Sequence, residues 1–173
     1  QELRDNVPYD EWVREMLTAE GKIFDNPAAG YLLRDSGMPL DSMNNTVRVF
    51  LGTQIGCAQC HDHPFDRWKQ REFYEMAAYM FGVRTRGNGN PVNKLRDELA
   101  KLPGGKGAVQ LVRANTYQVK DDPRQVLKLP HDYQYDDGKP GQVVKPKVIF
   151  GDAPISQGET ARSAFAHWLT SKD

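Results

Sequence analysis

Two cysteines in 173 residues cannot staple a fold. At most one short bridge is available, so the chain must hold itself together with an ordinary core. It has no excess charge of either sign: 23 basic side chains face 23 acidic ones. That balance removes the general electrostatic case for nucleic acid or an anionic membrane. No apolar run approaches the ~20 residues that a bilayer-spanning helix needs. Phosphate-loop chemistry is missing as well. The glycine-rich stretch Leu102-Pro103-Gly104-Gly105-Lys106-Gly107 lacks the Gly-Lys-Ser/Thr ending, and no strand precedes it. Asp136-Asp137 lacks the alternating acidic ligands of a calcium loop. No acid-base pair or nucleophile-base pair argues for hydrolysis.

What the chain does have is concentrated in Cys57-Ala58-Gln59-Cys60-His61-Asp62-His63-Pro64-Phe65-Asp66, which holds both cysteines and two of the four histidines. Cys-x-x-Cys-His is the attachment pattern of c-type haem. Two thiols add across the two vinyl groups of the porphyrin, and the two-residue spacing sets both sulfurs along one ring edge when the segment coils. His61 then lies under the iron as proximal ligand. Other readings of the same residues stay open. A Cys57–Cys60 disulfide closes too short a loop to stabilise much. A thioredoxin-type redox pair wants a βαβ unit, and none is visible. Zinc is the alternative cofactor, with Cys57, Cys60 and one or both of His61 and His63 as ligands, although zinc sites usually separate two close pairs by a longer loop.

The surroundings carry a resemblance. Phe50-Leu51-Gly52-Thr53-Gln54-Ile55-Gly56 runs into the motif, and Trp68, Arg71-Glu72-Phe73-Tyr74 and Ala77-Ala78 follow it. This pattern resembles the secreted planctomycete cytochrome-c-associated family, whose function is poorly known. Val7-Pro8-Tyr9-Asp10-Glu11-Trp12-Val13-Arg14 is similar to that family's upstream helix. Gly151-Asp152 and Ala166-His167-Trp168-Leu169-Thr170-Ser171 are similar to its junction with a next domain. The resemblance implies one covalent haem c on Cys57, Cys60 and His61. It also implies a long, exported, multi-domain parent, of which this chain is a piece. The expected location is periplasmic or extracellular, although the polar opening Gln1-Glu2-Leu3-Arg4-Asp5 is no signal peptide. The resemblance assigns no role to Asp62, His63 or Asp66.

Periodicity supplies the scaffold. Helices are predicted from Pro8 to Glu20, from an Asn26 cap to about Asp35, and from an Asp41 or Ser42 cap to about Thr53. Pro64 forces a bend at His63. A further helix, capped by Asp66, is predicted from Trp68 to Phe81, and another from Asn90 to Lys101. The glycines after Leu102 read as a flexible connection. Short strands are predicted at 109–112, 116–119, 126–129, 142–144 and 148–150, and a last helix at 159–169. The expected class is α+β: a mainly helical, cytochrome-c-like core around the Cys-x-x-Cys-His turn, then a small antiparallel β region and a C-terminal helix. The predicted divisions are a helical haem-binding region at 1–107, the β region at 108–150, and a linker with docking helix at 151–173.

The expected function is single-electron transfer. The partners would be a redox protein or other domains of the same exported protein, with no nucleic acid and no membrane span in this chain. The expected haem surroundings are Arg48, Phe50, His63, Phe73 and Ala77. Candidates for the sixth iron position are Met80, Met76, Met43 and His131, with Met38 and His167 behind them. A methionine there would raise the potential and an open position would admit small ligands. The rival expectation is a non-haem structural or binding module with zinc or a disulfide at the same turn.

Overall fold

Val13 and Leu17, four residues apart on one face, bury the first helix, α1 (Tyr9–Thr18), in a computed structural model describing residues 2–86 and 90–171. The two-residue strand β1 (Gly21–Lys22) follows. Asn26 then caps a 3-10 turn, Pro27–Ala29, by accepting the Ala28 N–H, and the chain continues into α2 (Gly30–Leu33). The third helix, α3 (Pro39–Phe50), starts earlier than its Asp41 or Ser42 caps predict. Pro39 occupies the first turn, where its missing N–H and fixed φ cost nothing. Met43 and Val47 of α3 are fully buried against α4 (Gln70–Ala77), which contributes Phe73, Met76 and Ala77 to the same core.

The class is α+β, with seven α-helices and one three-stranded antiparallel sheet among the described residues. The sheet is not assembled where the sequence predicts it. Its strands are β1, β2 (Val83–Arg86) and β3 (Tyr117–Asp121), in the order β1-β3-β2. The central strand pairs Val119 with Gly21 on one side and Lys120 with Arg84 on the other, with an irregularity between Arg84 and Arg86. Val119 is completely buried there.

Three corrections concern the second half. The strand predicted at 109–112 and the turn after it are helix α6 (Gly105–Thr116), packed against α5 (Asn90–Leu99). The supposedly flexible glycines are a tight junction: a Cβ at Gly105 would lie 1.8 Å from the Leu99 carbonyl oxygen, so only glycine fits. Residues 126–129 and 142–144 form no ladder. They are extended segments joined by one bridge, Lys128 to Val143, and 148–150 is not a strand. These segments spend their apolar residues on packing instead, burying Leu127, Leu129, Tyr133, Val144 and Val148. Residues 87–89 of the predicted loop lie outside the described residues.

The last helix, α7 (Ala161–Leu169), is capped by Thr160, which accepts the Ser163 N–H, and it packs along α1. Arg162 enters the interior with 2% of its side chain exposed. It donates to both carboxylate oxygens of Asp121 on β3 and to the Leu17 and Ala19 carbonyls at the end of α1. One guanidinium therefore joins three elements that are distant in sequence.

Just after β3, Asp122 closes a turn by accepting from the Arg124 backbone N–H (3.2 Å) and from its guanidinium (2.9 and 3.1 Å). The Arg124 guanidinium holds this carboxyl down at about 2, against an ordinary 3.8. A carboxyl depressed on folding stabilises the fold above its unfolded pKa, and that contribution fades as pH falls toward the folded value. Arg124→Ala is therefore expected to raise the Asp122 titration part of the way back, because the backbone N–H at 124 still donates to the carboxylate. A side-chain carboxyl NMR titration of both chains checks this; an unchanged midpoint would contradict the assignment.

Candidate cofactor site at the Cys57–His61 turn

The end of α3 delivers the site. Leu51 N–H bonds back to the Val47 carbonyl, and Gly52 takes φ +62°, a left-handed conformation that turns the chain away from the helix axis. The motif then folds as a 3-10 turn, Gly56–Gln59, with the Cys60 and His61 N–H groups both directed at the Cys57 carbonyl (3.3 and 3.4 Å). Residues three apart eclipse in a 3-10 helix. Cys57 and Cys60 consequently share one face, and both are exposed free thiols. Ala58, on the other face, is fully buried, and Ile55 beside it is 2% exposed. The turn is thus nailed to the core by its apolar residues, while its sulfurs face outward.

The two histidines differ in a way that the motif alone does not disclose. The Nδ1 of His61 sits 2.7 Å from the Asp62 carbonyl oxygen. A carbonyl only accepts, so Nδ1 carries the proton and Nε2 keeps its lone pair. The Nδ1 of His63 instead accepts the Phe65 N–H at 3.2 Å, which leaves the proton of its neutral ring on Nε2. In its neutral form His61 therefore presents a bare Nε2 lone pair, and His63 an Nε2–H donor.

Asp62 is the fastening point of the loop. Its Oδ1 accepts the Gln70 N–H at 2.9 Å, its Oδ2 takes the Lys69 ammonium at 2.8 Å, and its own N–H donates to the Tyr135 hydroxyl at 2.7 Å. Burial pushes the Asp62 carboxyl up, but the Lys69 and Gln70 hydrogen bonds outweigh it and hold the group below its ordinary value. Gln70, itself 3% exposed, donates from its amide to the Gln59 carbonyl and so ties the turn to α4. Asp66, expected to cap α4, bonds only to the adjacent Arg67 N–H. The capping falls to Asp62 and to Glu72, whose Oε2 accepts the Lys69 N–H at 2.9 Å. The helix starts at Gln70 because those acceptors sit there.

Tyr74 stands close enough to Cys60 and Asp132 to feel both. Burial is the main reason that its phenol is raised, and these two neighbours add to it. Trp68 is 7% exposed, and its indole N–H has no acceptor among the described residues. The Arg67 guanidinium lies over its ring, 4.5 Å from the centroid.

The other residues singled out by sequence fall as follows. Arg48 is exposed on α3. Phe50 stacks against Tyr31 (5.7 Å) and Tyr9 (6.4 Å), on the side where α1 and α2 meet α3. Phe73 (1%) and Ala77 (0%) are core residues of α4, next to the turn. Met43, Met76 and Met80 are all at most 1% exposed within the main cluster, whereas His131 is exposed and Met38 is half-exposed. His167 pairs with Glu159 at 3.0 Å, away from the motif. Cavities of about 700 and 760 Å³ flank α7, and neither is lined by Cys57, Cys60 or His61. Sequence reasoning missed Tyr135 and Gln70; nothing local to either marks a partner so far away in sequence.

An α+β fold that presents two thiols and an imidazole from one core-anchored turn is the class these observations define. The family model PSCyt2, described as a protein of unknown function (DUF1549), matches residues 1–85, which include the whole turn. No curated protein and no solved structure matches the chain.

Proposed function

We propose that this chain is a c-type cytochrome domain of an exported multi-domain protein, holding one haem c and passing single electrons to a redox partner or to neighbouring domains. The observation that carries the reading is the donor set of one turn: two free thiols on a common face and, next to them, an imidazole whose Nε2 lone pair is fixed by the Nδ1–carbonyl bond. Cys57 and Cys60 would anchor the group by thioether bonds, and His61 Nε2 would hold the iron. Bound there, the haem supplies a one-electron iron couple. The protein's part is to hold the Nδ1–H of His61 as donor to the Asp62 carbonyl, which makes the imidazole a stronger ligand through Nε2. The unpaired Trp68 N–H and the Nε2–H of His63 are donors of the kind that carboxylates of a bound group would satisfy.

Zinc at Cys57, Cys60, His61 and His63 is the weaker reading for a stated reason. Ligation through His63 Nε2 would move the ring proton to Nδ1, against the Phe65 N–H that now donates to it.

The test is an optical spectrum, oxidised and dithionite-reduced, of the chain produced in a host able to mature c-type haem, followed by haem staining of a denaturing gel. Sharp reduced bands and a stain that survives denaturation are expected. A carbon monoxide shift would report an open sixth position. A colourless chain that contains zinc would replace this reading with the alternative one.

A further inference from the structure

We infer that Asp62 and Tyr135 are positioning residues for His61, and that the Tyr135 segment, far downstream in sequence, is part of the site. The inference deepens the reading of this turn as a ligand site, but its first test needs no bound group.

The Asp62 carbonyl that accepts from His61 Nδ1 can hold its direction only if Asp62 itself cannot rotate. Three bonds hold it: Gln70 N–H to Oδ1, the Lys69 ammonium to Oδ2, and its own N–H to Tyr135. The first two come from the start of α4, and the third goes to a residue far downstream in sequence. An exposed ammonium contact contributes little by itself. The two bonds that involve backbone N–H groups fix Asp62 on the near side of the carbonyl, and the His63 N–H, which donates to the Trp68 carbonyl at 2.8 Å, holds the other side of the same peptide plane.

Tyr135 is in turn held in place. Its ring packs edge-on against Tyr133 at 5.5 Å, and the buried Tyr133 donates its hydroxyl to Asp137. Arg71 on α4 donates to the Asp137 carbonyl while its Nε pairs with Glu75 at 2.9 Å, and the Glu75 carbonyl accepts the Lys147 N–H at 3.2 Å. The segment around Tyr135 is therefore tied to the same helix that grips the Asp62 carboxylate. The result is a closed circuit from α4 through 133–137 to Asp62 and back, with His61 hanging from it.

Long-range ¹H–¹⁵N NMR of the His61 ring in the 173-residue chain reads the tautomer directly. The parent is expected to be Nδ1-protonated. Tyr135→Phe keeps the ring against Tyr133 but removes the acceptor, and is expected to change the His61 tautomer ratio about fivefold, the factor one ordinary hydrogen bond supplies. Asp62→Ala should do the same. Asp62→Asn, which keeps an oxygen for the Gln70 N–H, should stay like the parent. Tyr79→Phe is the control: it removes a part-buried hydroxyl that donates to the Ala153 carbonyl at 3.0 Å and has no place in this circuit. Unchanged His61 signals in folded Tyr135→Phe and Asp62→Ala chains would overturn the inference, as would an equal change in Tyr79→Phe. In the haem-loaded chain, Tyr135→Phe is expected to raise the midpoint potential, because a less basic imidazole stabilises ferric iron less. A fall would contradict the direction of the argument. A colourless chain would end the haem reading while leaving the tautomer result to decide this one.

Discussion

Arg162→Met should lower the stability of the chain by about 3–5 kcal/mol, the loss found when one partner of a buried ion pair is removed. For a chain of this size that corresponds to a fall in Tm of roughly 10 °C. The size follows from what is left behind. Methionine fills much of the volume, so little cavity forms. The Asp121 carboxylate, 14% exposed, loses both of its guanidinium bonds, and the Leu17 and Ala19 carbonyls lose the donors that reach them at 2.7 and 2.9 Å. Glu20 lies 3.6 Å from the same guanidinium and is too exposed to compensate. The double variant Arg162→Met with Asp121→Leu should recover part of the loss, because no charge is then stranded. Arg14→Ala, which removes a part-buried bond to Thr170 Oγ1 at 2.9 Å, should cost only about 1 kcal/mol. Thermal or urea unfolding of the four chains checks the order. A single Arg162 variant within about 1 kcal/mol of the parent would mean that Asp121 finds water instead.

The second large effect separates the two histidines. In the maturation-competent host, His61→Ala should abolish the parent's reduced spectrum, since the only imidazole set with a free Nε2 lone pair on this loop is gone. His63→Ala should leave band positions nearly unchanged, because its Nδ1 serves the Phe65 N–H and its Nε2 carries a proton. The loop itself should survive either change. Its fastening runs through Asp62, Gln70 and the buried Ile55 and Ala58, not through the imidazoles. Equal loss in both variants would point to a shared metal, as the zinc reading requires. The contrast is therefore worth more than either substitution alone.

The turn and most of the helices were legible because their signals are local. Cysteines three apart and an adjacent histidine need only one coil of chain to become a donor set, and Val13 with Leu17 or Met43 with Val47 mark a buried face by spacing alone. The helix at 105–116 was not legible. Gly105 and Gly107 read as breakers, and Val109 and Val112 read as strand formers, while the reason for glycine at 105 is contact with the Leu99 carbonyl. The sheet was misplaced for a related reason. Tyr117–Asp121 was recognisable by its composition, but its partners at Gly21–Lys22 and Val83–Arg86 are too short to announce themselves. Nothing in the sequence marks Tyr135 as a partner of Asp62, because hydrogen bonds across such sequence distance leave no periodicity. Asp66 was an adequate cap by type, and lost the role to a carboxylate that the bend at Pro64 brings closer to Gln70.

The strand order β1-β3-β2 has a consequence for the birth of the protein. The two outer strands are made first and have no hydrogen-bonding partner in each other. Both wait for the central strand, and that strand's part-buried Asp121 waits longer still for Arg162 on α7. Such non-local closure is slow, because loop entropy is lost before the contacts that offset it can form. The Cys57–Cys60 turn needs none of this, since its packing is against α3 and α4, and only the His61 end waits, for Tyr135. A nascent chain emerging from its N-terminus thus has its thiols arranged while its sheet is still open, and chemistry at those sulfurs can run ahead of folding.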